Sequence, residues 1–176
     1  PLDAVPSTDL APFAAIIVGP DTGSEESWGD TNRTEASRVL NSNKPVIGLG
    51  EGGFALFGIY DLFIGYDPDT VRGTLTSATS VLAVDRNSPV WNTPVQIEIP
   101  QNGIVPLYER NSQVIVVHTE GAPADVIRIG RLPEEENRFP IIAQNRFVLW
   151  GFSGPRADMS VAGEAAFTNL VDAVVP

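Results

Sequence analysis

Apolar positions along this chain fall into two textures. In the first, short continuous runs alternate with stretches of helical period. "PFAAIIVG", residues 12 to 19, is an unbroken apolar run closed by Gly19 and Pro20. "PVIGLG", residues 45 to 50, is another. Runs this short, with no polar alternation, predict strands buried on both faces, as parallel strands are. Between them lie the acid-rich loop "PDTGSEESWGDTN" and "RTEASRVLNSN", residues 33 to 43, which sets Ala36, Val39 and Leu40 on one helical face with Thr31 or Asn32 placed as the cap. "GGFALFGIY" follows the glycine turn directly and predicts a second helix. Strand, helix, strand, helix with short connections is the grammar of an α/β fold with a mostly parallel sheet.

After Asp67 the second texture begins. "TSVLAV", "VQIEIP", "VIVVHT" and "DVIRIGRL" are separated by proline, glycine and asparagine with no helical period between them, which predicts a β-rich antiparallel insertion from roughly 74 to 130. The chain then returns to its first texture with "RFVLWGF", residues 146 to 152, and a final helix over "SVAGEAAFTNLVDAVV". There Ala162, Ala165, Ala166, Leu170 and Val174 form the expected sheet-facing stripe, and Ser160 is the expected cap. No internal repeat interrupts this plan, so residues 1–176 are expected to share one core, with helices on both faces of the sheet.

Composition narrows the function classes. Twenty-two acidic residues against eleven basic ones give a formal charge of −11. A surface of that sign repels phosphate, so nucleic acid is not an expected partner. The absence of cysteine excludes disulfides, thiolate metal sites and a cysteine nucleophile. No apolar run is long enough to predict a membrane span. The opening "PLDAVPSTDL" lacks a signal-peptide pattern and begins without methionine, which points to processing or to a larger parent chain.

The glycine knot "GLGEGG", residues 48 to 53, carries the most pointed chemical question. Sharp strand-to-helix turns of small residues push one side chain out above a sheet and are a common mounting for a nucleophile. Here the apex residue is Gly50, which has no side chain to offer. The five residues Gly48, Leu49, Gly50, Glu51 and Gly52, taken with "WGFSGPRADMS" after the late strand, resemble the class I glutamine amidotransferase-like superfamily. That family's elbow reads glycine, aliphatic, cysteine, any residue, glycine, and its activating histidine lies in a phenylalanine, histidine, proline, glutamate stretch. On this resemblance Gly50 stands at the nucleophile position and Ser153, after the matching Phe152, at the base position. The resemblance implies a flavodoxin-like three-layer sandwich and a degenerate, noncatalytic member of the kind found inside larger bacterial proteins. It also implies that the family's first strand and helix, before residue 12, are either lost or supplied by preceding chain, because "PLDAVPSTDLA" has room for only one short extended piece.

Other residues compete for a role. Strand carboxyl ends in open α/β sheets gather binding residues, which places Gly19, Asp21, Thr22, Gly50, Glu51, Gly52 and Ser153 around one crevice. Glu51, at a helix entrance, is either a general base or a residue that merely caps the helix. His118, the sole histidine, ends the run "VIVV" and reads better as structural than as a partner for Ser153. "GLGEGG" lacks the lysine of a phosphate loop, and its glutamate opposes phosphate. "DPD" at 67 to 69 and "PEEEN" at 133 to 137 lack metal-ligand spacing and read as solvated turns, so neither a metal nor a cofactor is expected. Asn32 in "NRT" reads as a cap before it reads as a glycosylation sequon, and Trp28, Trp91 and Trp150 read as core or loop anchors before a sugar-binding surface.

Two readings stand at this point. One is a catalytically inactive module that binds or supports neighbouring domains of a larger chain or a protein partner, in a secreted or envelope setting. The other is a hydrolase with a site rebuilt around Glu51, Ser153 or His118.

Overall fold

The computed structural model describes residues 2–28 and 33–175. Among these, β1 (Ile16–Val18) leads through two short 3-10 turns to α1 (Thr34–Asn41), β2 (Val46–Leu49) and α2 (Gly50–Ile59). A long β-rich stretch follows, with β3 (Gly73–Ala78), β4 (Ser80–Ala83), the short α3 (Pro89–Asn92), β5 (Ile104–Pro106), β6 (Ser112–His118), β7 (Val126–Arg131), β8 (Arg138–Phe139) and β9 (Ile141–Gln144). The chain closes with β10 (Phe147–Trp150) and α4 (Val161–Val174).

The strands make a seven-stranded sheet in the order β1-β2-β10-β9-β7-β4-β5 and a second sheet in the order β3-β6-β8. The first two pairings of the large sheet, β1 with β2 and β2 with β10, are parallel as the continuous apolar runs predict. Every further pairing in it is antiparallel. The sheet is therefore mixed, not mostly parallel, and the fold is α/β with a second, antiparallel sheet. The reason is local: β9 returns into β10 through Asn145 and Arg146, with Asn145 in the left-handed region at φ 55°, so a tight hairpin replaces a helical crossover. The β-rich stretch runs from Gly73 to Gln144 and is not set apart as an insertion, since β4, β5, β7 and β9 complete the large sheet.

Strand periodicity sorts the core into two halves. Val46, Phe147 and Leu149 face one side of the large sheet, where they meet α1, α2 and the Ile115, Val117 and Phe139 side chains of the second sheet. Ile47, Val148 and Trp150 face the other side and pack under α3 and α4. Helices thus lie on both faces. Strand β6 is buried on both of its own faces, Val114 and Val116 in one half and Ile115 and Val117 in the other, which is why "VIVV" carries no alternation. Helix α2 is apolar all round because it is enclosed all round, with Phe54, Ala55, Leu56 and Phe57 buried in succession.

Several local expectations meet the structure directly. Ser160 caps α4 by accepting a hydrogen bond from the Gly163 N–H at 2.9 Å, and its hydroxyl donates to the Pro106 carbonyl at 2.6 Å. Ala166 and Leu170 are buried, with Ala162, Ala165 and Val174 packed beside them. In α1, Ala36 and Val39 are buried while Leu40 is 37% exposed. Thr31 and Asn32 lie outside the described residues; the residue at the cap position is Arg33, in the left-handed region at φ 46°. "VQIEIP" forms no strand, because Ile97 buries itself in an extended loop whose N–H donates to the Trp91 carbonyl. Leu2–Ser7 forms a 3-10 turn against α1, not the short extended piece expected of "PLDAVPSTDLA". All three tryptophans are core anchors, each no more than 2% exposed.

Candidate functional site

Strand β2 turns into α2 without an intervening loop. That junction has no room for a Cβ at Gly48, Gly50, Gly52 or Gly53. Gly53 lies on the backbone of Gly48, so any Cβ there would overlap it. Gly50, the first residue of α2, takes φ 50°, a left-handed conformation that favours glycine. A Cβ at Gly50 would overlap the Ser153 hydroxyl and sit 2.9 Å from Cβ of Pro20. The apex of the turn is therefore occupied from two sides. Ser153 follows the carboxyl end of β10, and Pro20 follows that of β1, so three neighbouring strand ends converge on one glycine.

Ser153 is fixed by its surroundings. Its N–H donates to the Gln113 carbonyl at 2.9 Å, and the Ile115 N–H donates to the Gly151 carbonyl at the same distance. The Gly154 N–H donates to the Ser112 hydroxyl at 2.8 Å. Beneath this loop Tyr108 stacks on Phe152 with ring centres 5.1 Å apart, and its hydroxyl accepts from Trp150 Nε1 at 3.3 Å. Burial raises the Tyr108 phenol above its ordinary value, an effect that the Trp150 hydrogen bond partly opposes. The Ser153 hydroxyl itself has no hydrogen-bond partner among the described residues. Without an adjacent base a serine hydroxyl is not an activated nucleophile.

The predicted crevice divides in two. Gly19, Thr22 and Gly52 pack solidly, since a Cβ on Gly52 would overlap both the Thr22 hydroxyl and the Gly19 carbonyl, and the Thr22 hydroxyl donates to that carbonyl at 2.9 Å. Asp21 and Ser153 instead line an open groove of about 970 Å³, together with Leu49 and Trp150 from the strand ends. The other wall is α4, which contributes Glu164, Phe167, Thr168, Val171 and Asp172. This spacing of three, one, three and one is a single helical face, next to the stripe that meets the sheet. The signal for it was present in the sequence as apolar Phe167 and Val171 beyond what the sheet-facing stripe needs. Arg156 and Met159 close the rim, and Arg156 pairs with Glu164 at 3.0 Å.

The remaining candidates lie elsewhere. Glu51 is exposed on the first turn of α2 and outside the groove. His118 sits at the far end of β6, five residues beyond Gln113 and so about 17 Å along the strand. Its Nε2 shares a 2.9 Å hydrogen bond with the Thr74 hydroxyl, so it does not pair with Ser153. Asp67 of "DPD" closes a turn: it accepts from the Asp69 N–H at 3.0 Å and the Thr70 hydroxyl at 2.9 Å, and pairs with Arg72. These contacts, the backbone N–H first, hold its carboxyl below the usual carboxylate range. Glu135 of "PEEEN" pairs with Arg138 at 2.7 Å. Among the described residues no group of acidic or histidine side chains is arranged to hold a metal ion, and no helix is long and apolar enough to cross a membrane. Compared with known proteins, the chain matches no family model, no curated protein and no solved structure.

Proposed function

We propose that this chain is a catalytically inactive module of glutamine amidotransferase-like descent, with a flavodoxin-like core, that serves a larger bacterial protein by binding rather than by catalysis. One juxtaposition carries the reading. The two positions that the sequence resemblance assigns to nucleophile and base are about a hundred residues apart in the chain, yet Gly50 and Ser153 touch, with the position of a Gly50 Cβ only 3.2 Å from Ser153 Cβ. Proximity is what a nucleophile and its base require, and an arbitrary pairing of sequence positions would not supply it. Neither residue can perform the reaction: one has no side chain, the other no proton affinity at neutral pH. What persists is a strand-end groove with an apolar floor, the usual shape of a small-ligand site.

The test restores the chemistry and reads the contact. In Gly50→Cys with Ser153→His, thiol and imidazole should meet, so the alkylation rate against pH should report a thiol titrating at least about one unit below that of Gly50→Cys with Ser153→Ala. Serine is replaced in both variants, so its hydroxyl is absent from both and the two differ by the imidazole alone. Equal titration would reject the assignment. The unaltered protein should turn over no ester, amide or glycoside; turnover abolished by Ser153→Ala or Glu51→Gln would make it a hydrolase instead.

A further inference from the structure

The groove beside α4 has a charge pattern that its fold does not require. A helix carries partial negative charge at its carboxyl end, where cationic side chains are favourable and carboxylates are not. The last turn of α4 holds no basic residue, and instead places Asp172 there, on the groove face. Across the groove Asp21 projects from the turn after β1. Among the described residues neither carboxylate has an ion-pair or hydrogen-bond partner, whereas Glu164, also at the rim, is answered by Arg156. Between them the surface is apolar, with Leu49, Met159, Phe167 and Val171 exposed to the opening. At about 970 Å³ the volume suits a ligand of modest molecular size.

We propose that this groove binds a small amphipathic cation, an alkyl or aromatic body carrying an ammonium or guanidinium group. The proposal rests on the reading of this domain as a binding module and names the chemical class of its ligand. The apolar body lies along Phe167 and Val171 and displaces water from them. The cationic group meets Asp172 and the partial negative charge at the carboxyl end of α4, with Asp21 adding to the attraction from the other wall. Ligand binding thereby supplies the positive charge that the helix end lacks, which gives a physical reason for a carboxylate at an otherwise unfavourable place.

Decyltrimethylammonium and decyl sulfate, both below their micellar concentrations, have the same chain and opposite heads. Titration calorimetry of the full chain should show the cation binding at least about tenfold more tightly. In Asp21→Asn with Asp172→Asn that preference should fall by about fivefold, since partly exposed ion pairs are individually modest. Glu120→Gln with Glu134→Gln makes the same change in net charge at exposed sites outside the groove and should leave the preference intact. Thr168→Trp, at an exposed groove position, should block both probes. Equal binding of the two probes, or an equal loss in both carboxylate pairs, would overturn the cation assignment while leaving the groove. Failure of the cation to bind would overturn the proposal whole, whereas the thiol titration above judges the descent of the site independently.

Discussion

Replacing Gly50 with alanine adds one methyl group at the point where three strand ends meet, and its cost can be worked from two separate effects. The residue has φ 50°, and forcing an L side chain into the left-handed region costs about 1–2 kcal/mol. The new Cβ would also overlap the Ser153 hydroxyl and press on Pro20 at 2.9 Å, and overpacking of this kind costs about 1–3 kcal/mol. Together Gly50→Ala should destabilise the fold by about 2–5 kcal/mol. With a urea slope of about 2 kcal/mol/M, the midpoint of unfolding should fall by about 1–2.5 M. A double-mutant cycle separates the effects. Ser153→Gly removes the hydroxyl that the methyl group meets but leaves the backbone conformation and Pro20 in place, so the two substitutions should couple favourably by about 1 kcal/mol. A midpoint within about 0.2 M of the parent would mean that the turn is not held in the left-handed region. A cycle with no coupling would mean that Gly50 and Ser153 are not in contact, and the functional reading built on that contact would fall.

Asn169, fully buried on α4, donates to the Val90 carbonyl at 3.0 Å and the Val95 carbonyl at 2.7 Å and accepts from the Val95 N–H at 2.8 Å, so Asn169→Leu should leave these groups unpaired and cost about 3 kcal/mol by urea unfolding; a loss below about 1 kcal/mol would show the loop at residues 89 to 95 relaxing to water. Alkaline pH should also destabilise the fold. Burial raises the Tyr60 and Tyr108 phenols, so the unfolded chain releases these protons near pH 10 while the folded one retains them; stability is then full below about pH 10 and declines above it. Tyr60→Phe should flatten that decline in urea midpoints measured from pH 8 to 11, and an unchanged slope would remove Tyr60 as its cause.

Local chemistry was legible in the order of the residues. Continuous apolar runs announced β1, β2 and β10, helical spacing announced α1 and α4, Ser160 announced its cap, and a glycine knot announced a turn that tolerates no side chain at its apex. These signals are legible because each depends on residues within a few positions of one another. How the middle of the chain divides was settled by long-range strand pairing. The choice between extending the large sheet and forming a second one depends on which distant strands pair, and "TSVLAV" and "VIVVHT" look alike on paper although β4 joins one sheet and β6 the other. The same holds for the site. Gly50 and Ser153 were individually noticeable, but their contact, the packing of Thr22 against Gly52, and the distance that separates His118 from both follow from chain reversals of up to about a hundred residues. The groove face of α4 is the clearest case. Phe167 and Val171 have the composition of core residues, and they line a cleft because β1 and β2 lie at one edge of the large sheet, beside the face that α4 leaves open. Hydrophobic pattern fixes which residues seek cover, while the order of strands in the sheet fixes which of them find it.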